Sequence, residues 1–412
     1  MGILSKKNPL GIRKISKNAA EQYQVKDDYK RFNQKYNMIW QPSWKSGLSG
    51  YGDQQRLTSG LEKVRRNRNG YTVLDWAFLR GAEANFWASD FPINVGDQTG
   101  NSWNPIRMGL PEGIDRWENS ETEAARIVRK VAAYYGADQI GICRLDRRWI
   151  FSDYFDPDTN QDYPIRFSDE ASYENVDKPQ KMEDGTAVIP SSMKYVIVML
   201  QEMDYDAIKT APTMTQMAST HIMYSKIAFT AASVAEFLRG LGYDAIPSAN
   251  DTALNIPLAI DAGLGQLGRN AKLISPRYGP RCRISKVITD LPLEVDQPID
   301  FGVTEYCETC KICAESCPVK AIPEGPRSYE PEGDFSHQGV LQWQMDHQSC
   351  RKFWASKGTN CGICLAKCPY NQKGLRHWIG KSITAAKSPV LNKLLTAAAD
   401  LPLLDSREFW AK

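Results

Sequence analysis

No run of eighteen or more apolar residues occurs in the chain, so no segment of it can span a bilayer as a helix. The basic N-terminus, Met1 to Lys17, lacks the apolar stretch of a secretory signal, so the chain either stays in the cytoplasm or has already lost a signal. Net charge is nearly absent: 51 lysines and arginines against 48 aspartates and glutamates leave +3, which gives no general case for nucleic acid or an anionic membrane surface as partner. Internal repeats are missing too, except for a doubled cysteine motif. What remains has a globular composition and, at 412 residues, is too long for one ordinary core; we expect one large domain with a smaller module attached.

Residues Met1 to Pro111 carry Trp40, Trp44, Trp76, Trp87 and Trp103 among many Gly, Asn and Asp, which predicts irregular structure that wraps a core and offers aromatic walls to an apolar pocket. A helix follows, because Ala124, Ile127, Val128, Val131, Ala132 and Tyr135 recur at helical spacing, Ser120 with Glu123 forms a capping-box pattern, and Gly136 ends it. Strands are predicted at Gln139 to Leu145 and, after an acidic loop around Asp153 to Gly185, at Tyr195 to Leu200, which is apolar throughout. A second helix runs from about Thr220 to Arg239 and stops at Gly240, and a short strand near Asp244 to Ile246 leads into Pro247. The segmentation is 1–119 as a wrapping segment, 120–300 as an α+β core, 301–375 as a cysteine module and 376–412 as a helical tail that packs back through Phe409 and Trp410.

The cysteine module holds the most specific pattern. Cys307-x2-Cys310-x2-Cys313-x3-Cys317-Pro318 has the spacing of bacterial two-cluster ferredoxins, where the fourth cysteine ligates the other cluster. Cys361-x2-Cys364-x3-Cys368-Pro369 repeats it, with the further ligand displaced upstream to Cys350. Crossing the fourth ligands gives one [4Fe-4S] cluster on Cys307, Cys310, Cys313 and Cys368, and a second on Cys317, Cys350, Cys361 and Cys364. Zinc also takes Cys-x2-Cys pairs, but two Cys-Pro endings and the x2-x2-x3 run favour iron–sulfur. Cys143, in an apolar strand, and Cys282, between arginines, are read as inert packing residues.

Gly263-Leu-Gly265-Gln-Leu-Gly268 fits the G-x-G-x-x-G dinucleotide signature. The preceding Ala259-Ile-Asp-Ala follows Pro257 and looks helical rather than strand-like, and Asp290 falls at a strand end, so NAD is rejected. Glycines can equally let another large flat cofactor approach the backbone, and Gly263, Gly265 and Gly268 are taken as such contacts.

Together, Thr220-His-Ile-Met-Tyr224, Ile246-Pro-Ser-Ala-Asn250-Asp-Thr, the glycine run through Arg269, Tyr278-Gly-Pro-Arg-Cys-Arg283 and the two cysteine motifs resemble the corrinoid-dependent iron–sulfur reductive dehalogenases of organohalide respiration, most of all their chloroalkane branch. The resemblance implies a nitroreductase-like core holding a base-off cobamide, with Tyr224 as proton donor, Arg283 supporting it, Asn250 at the site, and Thr220 and Trp354 in the substrate pocket. The pattern Asp-x-His-x-x-Gly is absent, and His221, His337, His347 and His377 are read as surface or internally satisfied groups rather than cobalt ligands. It also implies a small organohalide substrate, an electron donor from the respiratory chain, an integral-membrane anchor protein, no nucleic acid, and a place on the outer face of the cytoplasmic membrane after export. The physical logic of the pair stands beside the resemblance. A phenol is a poor proton source for a nascent carbanion unless a nearby cation favours the phenolate, and a guanidinium stays charged when buried. Two competing readings are an epoxyqueuosine reductase, which would need a tRNA surface, and a non-enzymatic iron–sulfur electron carrier, which would leave about three hundred preceding residues unexplained.

Overall fold

The structure, a computed structural model, describes residues 12–82, 103, 109–331, 333, 337–371, 387–397 and 402–411. Trp87, His377 and much of the expected tail lie outside the described residues.

The elements that build the core are helices α1 (Ala19–Gln22), α2 (Glu121–Tyr134), α3 (Met214–Gly240) and α4 (Asn255–Asp261), with strands β1 (Gln139–Arg144), β2 (Tyr195–Glu202), β3 (Ala245–Ser248), β4 (Gln266–Leu267), β5 (Leu273–Ile274) and β6 (Cys282–Thr289). Strands β1, β2, β6 and β3 form one antiparallel sheet in that order. Both faces of β2 are covered, which is why its sequence runs apolar without alternation. Tyr195, Ile197 and Met199 pack with Val128, Val234 and Leu238 from α2 and α3, while Val196, Val198 and Leu200 pack with Trp149, Leu258 and Ile260 on the other side. Pro247 sits opposite Val287 on β3, which as the edge strand can spare a donor.

The cap of α2 forms as its sequence suggests, with Ser120 Oγ accepting from the Glu123 amide at 3.3 Å. Helix α3 begins six residues before the expected start, at a Thr213 cap, because Met214, Met217 and Ala218 bury against Tyr71 and Leu79. The acidic stretch predicted as a loop instead contributes to a second sheet: Asp153–Asp156, Gln161–Phe167, Ala187–Ile189 and Gln180–Lys181 pair in that order. Its strand aspartates Asp153, Asp156 and Asp162 are half-buried, while Tyr154 and Ile165 are buried.

The N-terminal segment is less irregular than expected, with helices at Asp53–Arg65 and Val73–Ala82. It wraps the core through Asp261, which accepts from the Ala19 amide at 2.6 Å and from the Trp149 indole at 3.1 Å; burial raises that carboxyl to about 6. In the cysteine module, α5 (Val303–Thr309) buries Val303 and Tyr306 beside Cys307 and Cys310, and α6 (His347–Lys357) buries Arg351 and Ala355. Near the end of the chain Trp410 donates to Asp75 at 2.9 Å and its ring meets Phe78 edge-on, so this part of the tail does pack back.

Candidate active site and cluster module

A cavity of about 360 Å³ opens between the core sheet and the cysteine module. Tyr224 reaches it from α3, Asn250 from the turn after β3, and Arg283 from the start of β6; Trp343, Met345 and His347 close it from the module. Three residues far apart in sequence are thus brought to one wall. The Arg283 guanidinium lies over the Tyr224 ring, 5.4 Å from its centroid, a position where a cation stabilises electron density on the phenol. The Asn250 turn is held rigidly from beneath. Lys286, fully buried on β6, donates to the Ala249 carbonyl at 2.9 Å, the Asp251 carbonyl at 3.1 Å and Asn255 Oδ1 at 2.7 Å, and Asn255 in turn donates to Asn250 Oδ1 at 3.2 Å. Burial lowers the Lys286 ammonium to about 8, since an apolar surrounding penalises its charge.

Thr220 and Trp354 are not among the residues lining this cavity. Thr220 is buried one turn before Tyr224 and stands behind the site, accepting from Arg283 Nη2 at 3.4 Å. Trp354 falls on α6, one turn after Cys350 as the helical reading supposed, and packs against Arg351. Gly263, Gly265 and Gly268, read as cofactor contacts, are not among the lining residues either. Gly263 has φ +69°, and a Cβ there would strike the Gln297 carbonyl; a Cβ on Gly265 would strike the Ile274 carbonyl, and one on Gly268 the Ile274 side chain. The smallness of Gly265 and Gly268 closes the β4–β5 hairpin, whose Leu267, Ala271 and Leu273 do line the cavity. The helix before them is α4, so the strand that a nucleotide motif requires is missing there. Asp290 accepts from the Asp244 amide at 2.8 Å, a bond within the sheet end.

Sequence reasoning missed several lining residues, two histidines among them. His337 and His347 both face the cavity, and burial pushes them down to about 4 and about 3, so both are neutral at pH 7. His337 stands edge-on to Phe32 and Tyr29, contacts that lie across more than three hundred residues of chain and leave no local pattern. His221 is buried in α3. Cys143 is inert in the core, whereas Cys282 also lines the cavity.

The eight module cysteines sort by mutual influence. Burial raises the Cys313 and Cys368 thiols, and the charges next in effect on Cys313 come from Cys307, Cys368, Cys364 and Cys310; on Cys368 they include Cys307 and Cys310. Cys350 is raised by burial and then by Cys364, Cys361 and Cys317, and Cys361 by burial, Cys364 and Cys317. These neighbourhoods follow the crossed sets, with Cys364 where the two adjoin. Among the described residues no three His, Cys, Asp or Glu converge as they would on a single ion. Eight thiols in two such neighbourhoods suit two four-cysteine clusters. The lining of the cavity also offers groups that the face and edge of a corrinoid could use. The hairpin residues and Trp343 give an extended apolar wall, and Arg283 Nε and the Trp343 indole N–H, both buried without a hydrogen-bond partner, can serve the polar edge of a ligand.

Comparison with known proteins places this geometry. The family model for the reductive dehalogenase subunit matches residues 41–293, and that for the 4Fe-4S double cluster binding domain matches residues 306–371. The chain is 35% identical over 346 residues to the tetrachloroethene reductive dehalogenase of Sulfurospirillum multivorans, covering 78% of this chain and 68% of that protein. It is 34% identical over 359 residues to one from Desulfitobacterium hafniense, covering 75% of this chain and 64% of that one. A solved reductive dehalogenase, whose structure is described as suggesting a mechanism for B12-dependent dehalogenation, superimposes with a TM-score of 0.66 at 20% identity, over 95% of this chain and 49% of that one. The chain thus spans about two thirds of those relatives' length and about half of the solved protein. Two family matches, one over the α+β core and one over the cysteine module, show that the chain belongs to the reductive dehalogenases, the family that binds a corrinoid and two [4Fe-4S] clusters.

Proposed function

We propose that the chain replaces a halogen of a small organohalide, a chlorinated alkane, by hydrogen, with Tyr224 as the proton donor. The stoichiometry is R–X plus two electrons and one proton giving R–H and halide. The observation that carries this reading is the convergence of Tyr224, Arg283 and Asn250 on a cavity whose opposite wall belongs to the cluster module. Bound in that cavity, a corrinoid would supply the low-valent cobalt needed to reduce the carbon–halogen bond. Tyr224 Oη gives the proton as negative charge develops on carbon, and Arg283 above the ring stabilises the phenolate left behind. Lys286, through Asn255, holds Asn250 against the site.

The cluster nearer the cavity is that of Cys317, Cys350, Cys361 and Cys364. Two lining residues, Ala271 and Met345, pack with Cys317, Cys350 and Cys364, and with Cys313 of the other set, while one, Trp343, packs with Cys307, Cys310 and Cys368. Electrons arrive from a respiratory donor, and an integral-membrane partner holds the protein at the outer face of the membrane; among the described residues no helix is long and apolar enough to cross a membrane. Complete protection from protease in intact protoplasts would refute that placement.

Tyr224→Phe tests the chemistry. An apolar haloalkane gains little from one hydrogen bond in the ground state, while the carbanion-like transition state gains much. The variant should keep corrinoid and cluster spectra yet lose roughly a hundredfold or more in turnover, the scale of general acid catalysis. Turnover within about threefold of the unaltered protein, well short of that scale, would remove Tyr224 from the role.

A further inference from the structure

The glycine run that does not bind a nucleotide ends in a residue of unusual setting. Arg269 is 1% exposed, and every hydrogen bond it donates goes to a backbone carbonyl. Its Nε reaches the carbonyls of Cys307 at 2.9 Å and Cys310 at 3.2 Å, and its Nη2 reaches Cys307 again at 2.8 Å and Glu308 at 3.4 Å. Its Nη1 reaches Pro323 at 2.6 Å and Gly325 at 2.8 Å. The guanidinium also lies 5.0 Å from the centre of the Trp343 ring, which lines the cavity. No carboxylate is among these partners.

A buried guanidinium keeps its charge, and burying an ion without a counter-ion costs several kcal/mol. Carbonyl dipoles solvate such a charge but do not neutralise it. The negative charge that a cluster would bring to this side chain is that of the Cys307 and Cys310 thiolates, two of the four that would hold it, since the guanidinium bonds the carbonyls of both residues. The same hairpin fixes the helix that carries Cys307, since Gln266 Oε1 accepts from the Phe301 amide at 2.9 Å. Gly265 and Gly268 allow the tight hairpin, and the hairpin delivers Arg269 to the loop that carries Cys307 and Cys310.

We propose that Arg269 is a positioning residue that sets the reduction potential of the cluster held by Cys307, Cys310, Cys313 and Cys368, raising it above what that loop would give alone. This rests on the two-cluster reading. Reduction adds one negative charge to a cluster that is already negative, so a fixed cation in a low-dielectric interior stabilises the reduced form more than the oxidised one. The second cluster shares none of the six carbonyl contacts and feels the charge less.

The test is a potentiometric titration, followed by electron paramagnetic resonance, of anaerobically purified, cofactor-loaded protein. Iron analysis of the unaltered protein comes first: a value well below about eight per chain would overturn the two-cluster reading itself. Given both clusters, Arg269→Gln should move one midpoint potential to a more negative value and leave the other in place, while Arg269→Lys, which keeps the charge without the fork, should stay near the unaltered values. Two unchanged potentials in Arg269→Gln, or an equal shift of both, would overturn the proposal. If Arg269→Gln loses iron, Arg269→Lys decides: retention of both potentials supports the charge, whereas a lowered potential, or loss of iron from this variant too, leaves the arginine a mere loop peg.

Discussion

Arg283 shows how one side chain can serve two neighbours. Its guanidinium covers the Tyr224 ring and donates to Thr220, so charge and planar shape are both used. Lysine keeps the charge but is a compact ammonium without the fork. Arg283→Lys should therefore turn over at a rate between the unaltered protein and Tyr224→Phe, about tenfold down on the general-acid scale, at equal corrinoid and iron content. A rate at or below that of Tyr224→Phe would mean that geometry, not charge, carries the effect. At this scale the sequence was legible only through the resemblance, because Tyr224, Asn250 and Arg283 sit on a helix, a turn and a strand and share no local spacing. His337 and His347 were not legible at all, since nothing near them in sequence says that they meet the cavity.

Among the elements, the turn after β3 depends most on a single buried charge. Lys286 as an ammonium has three N–H donors, and all three are used, on Ala249, Asp251 and Asn255. Its pKa is lowered from an ordinary value near 10.5 to about 8, so it is charged below that pH and neutral above it, where one of the three bonds must go. Turnover should fall as pH rises through about 8 as the Asn250 turn loosens. Lys286→Met should be slower and lack that limb; a limb that persists in Lys286→Met would assign it to another group. Elements with strong periodicity, α2 and β2, were readable within a residue or two. The second sheet was not, because its charged edges masked a short apolar alternation. The early start of α3 was set by contacts to Tyr71 and Leu79, which precede it by well over a hundred residues.

For the whole molecule, the cysteine spacing announced the module, which the double-cluster family match covers at residues 306–371. What spacing could not show is that the module closes the cavity, placing Trp343, Met345 and His347 opposite Tyr224. That joint wall is the reason for reading the molecule as a conduit feeding a reaction rather than as an electron carrier. The most direct measurement is halide release by anaerobically loaded protein, carrying about eight iron atoms per chain and a stoichiometric corrinoid, with reduced viologen as donor. Chloroform, trichloroethane, tetrachloroethene and a bromophenol are the substrates to compare. The account expects one halide released per two electrons consumed, fastest with a chlorinated alkane. Viologen oxidation without halide release from any of the four, at full cofactor content, would contradict it.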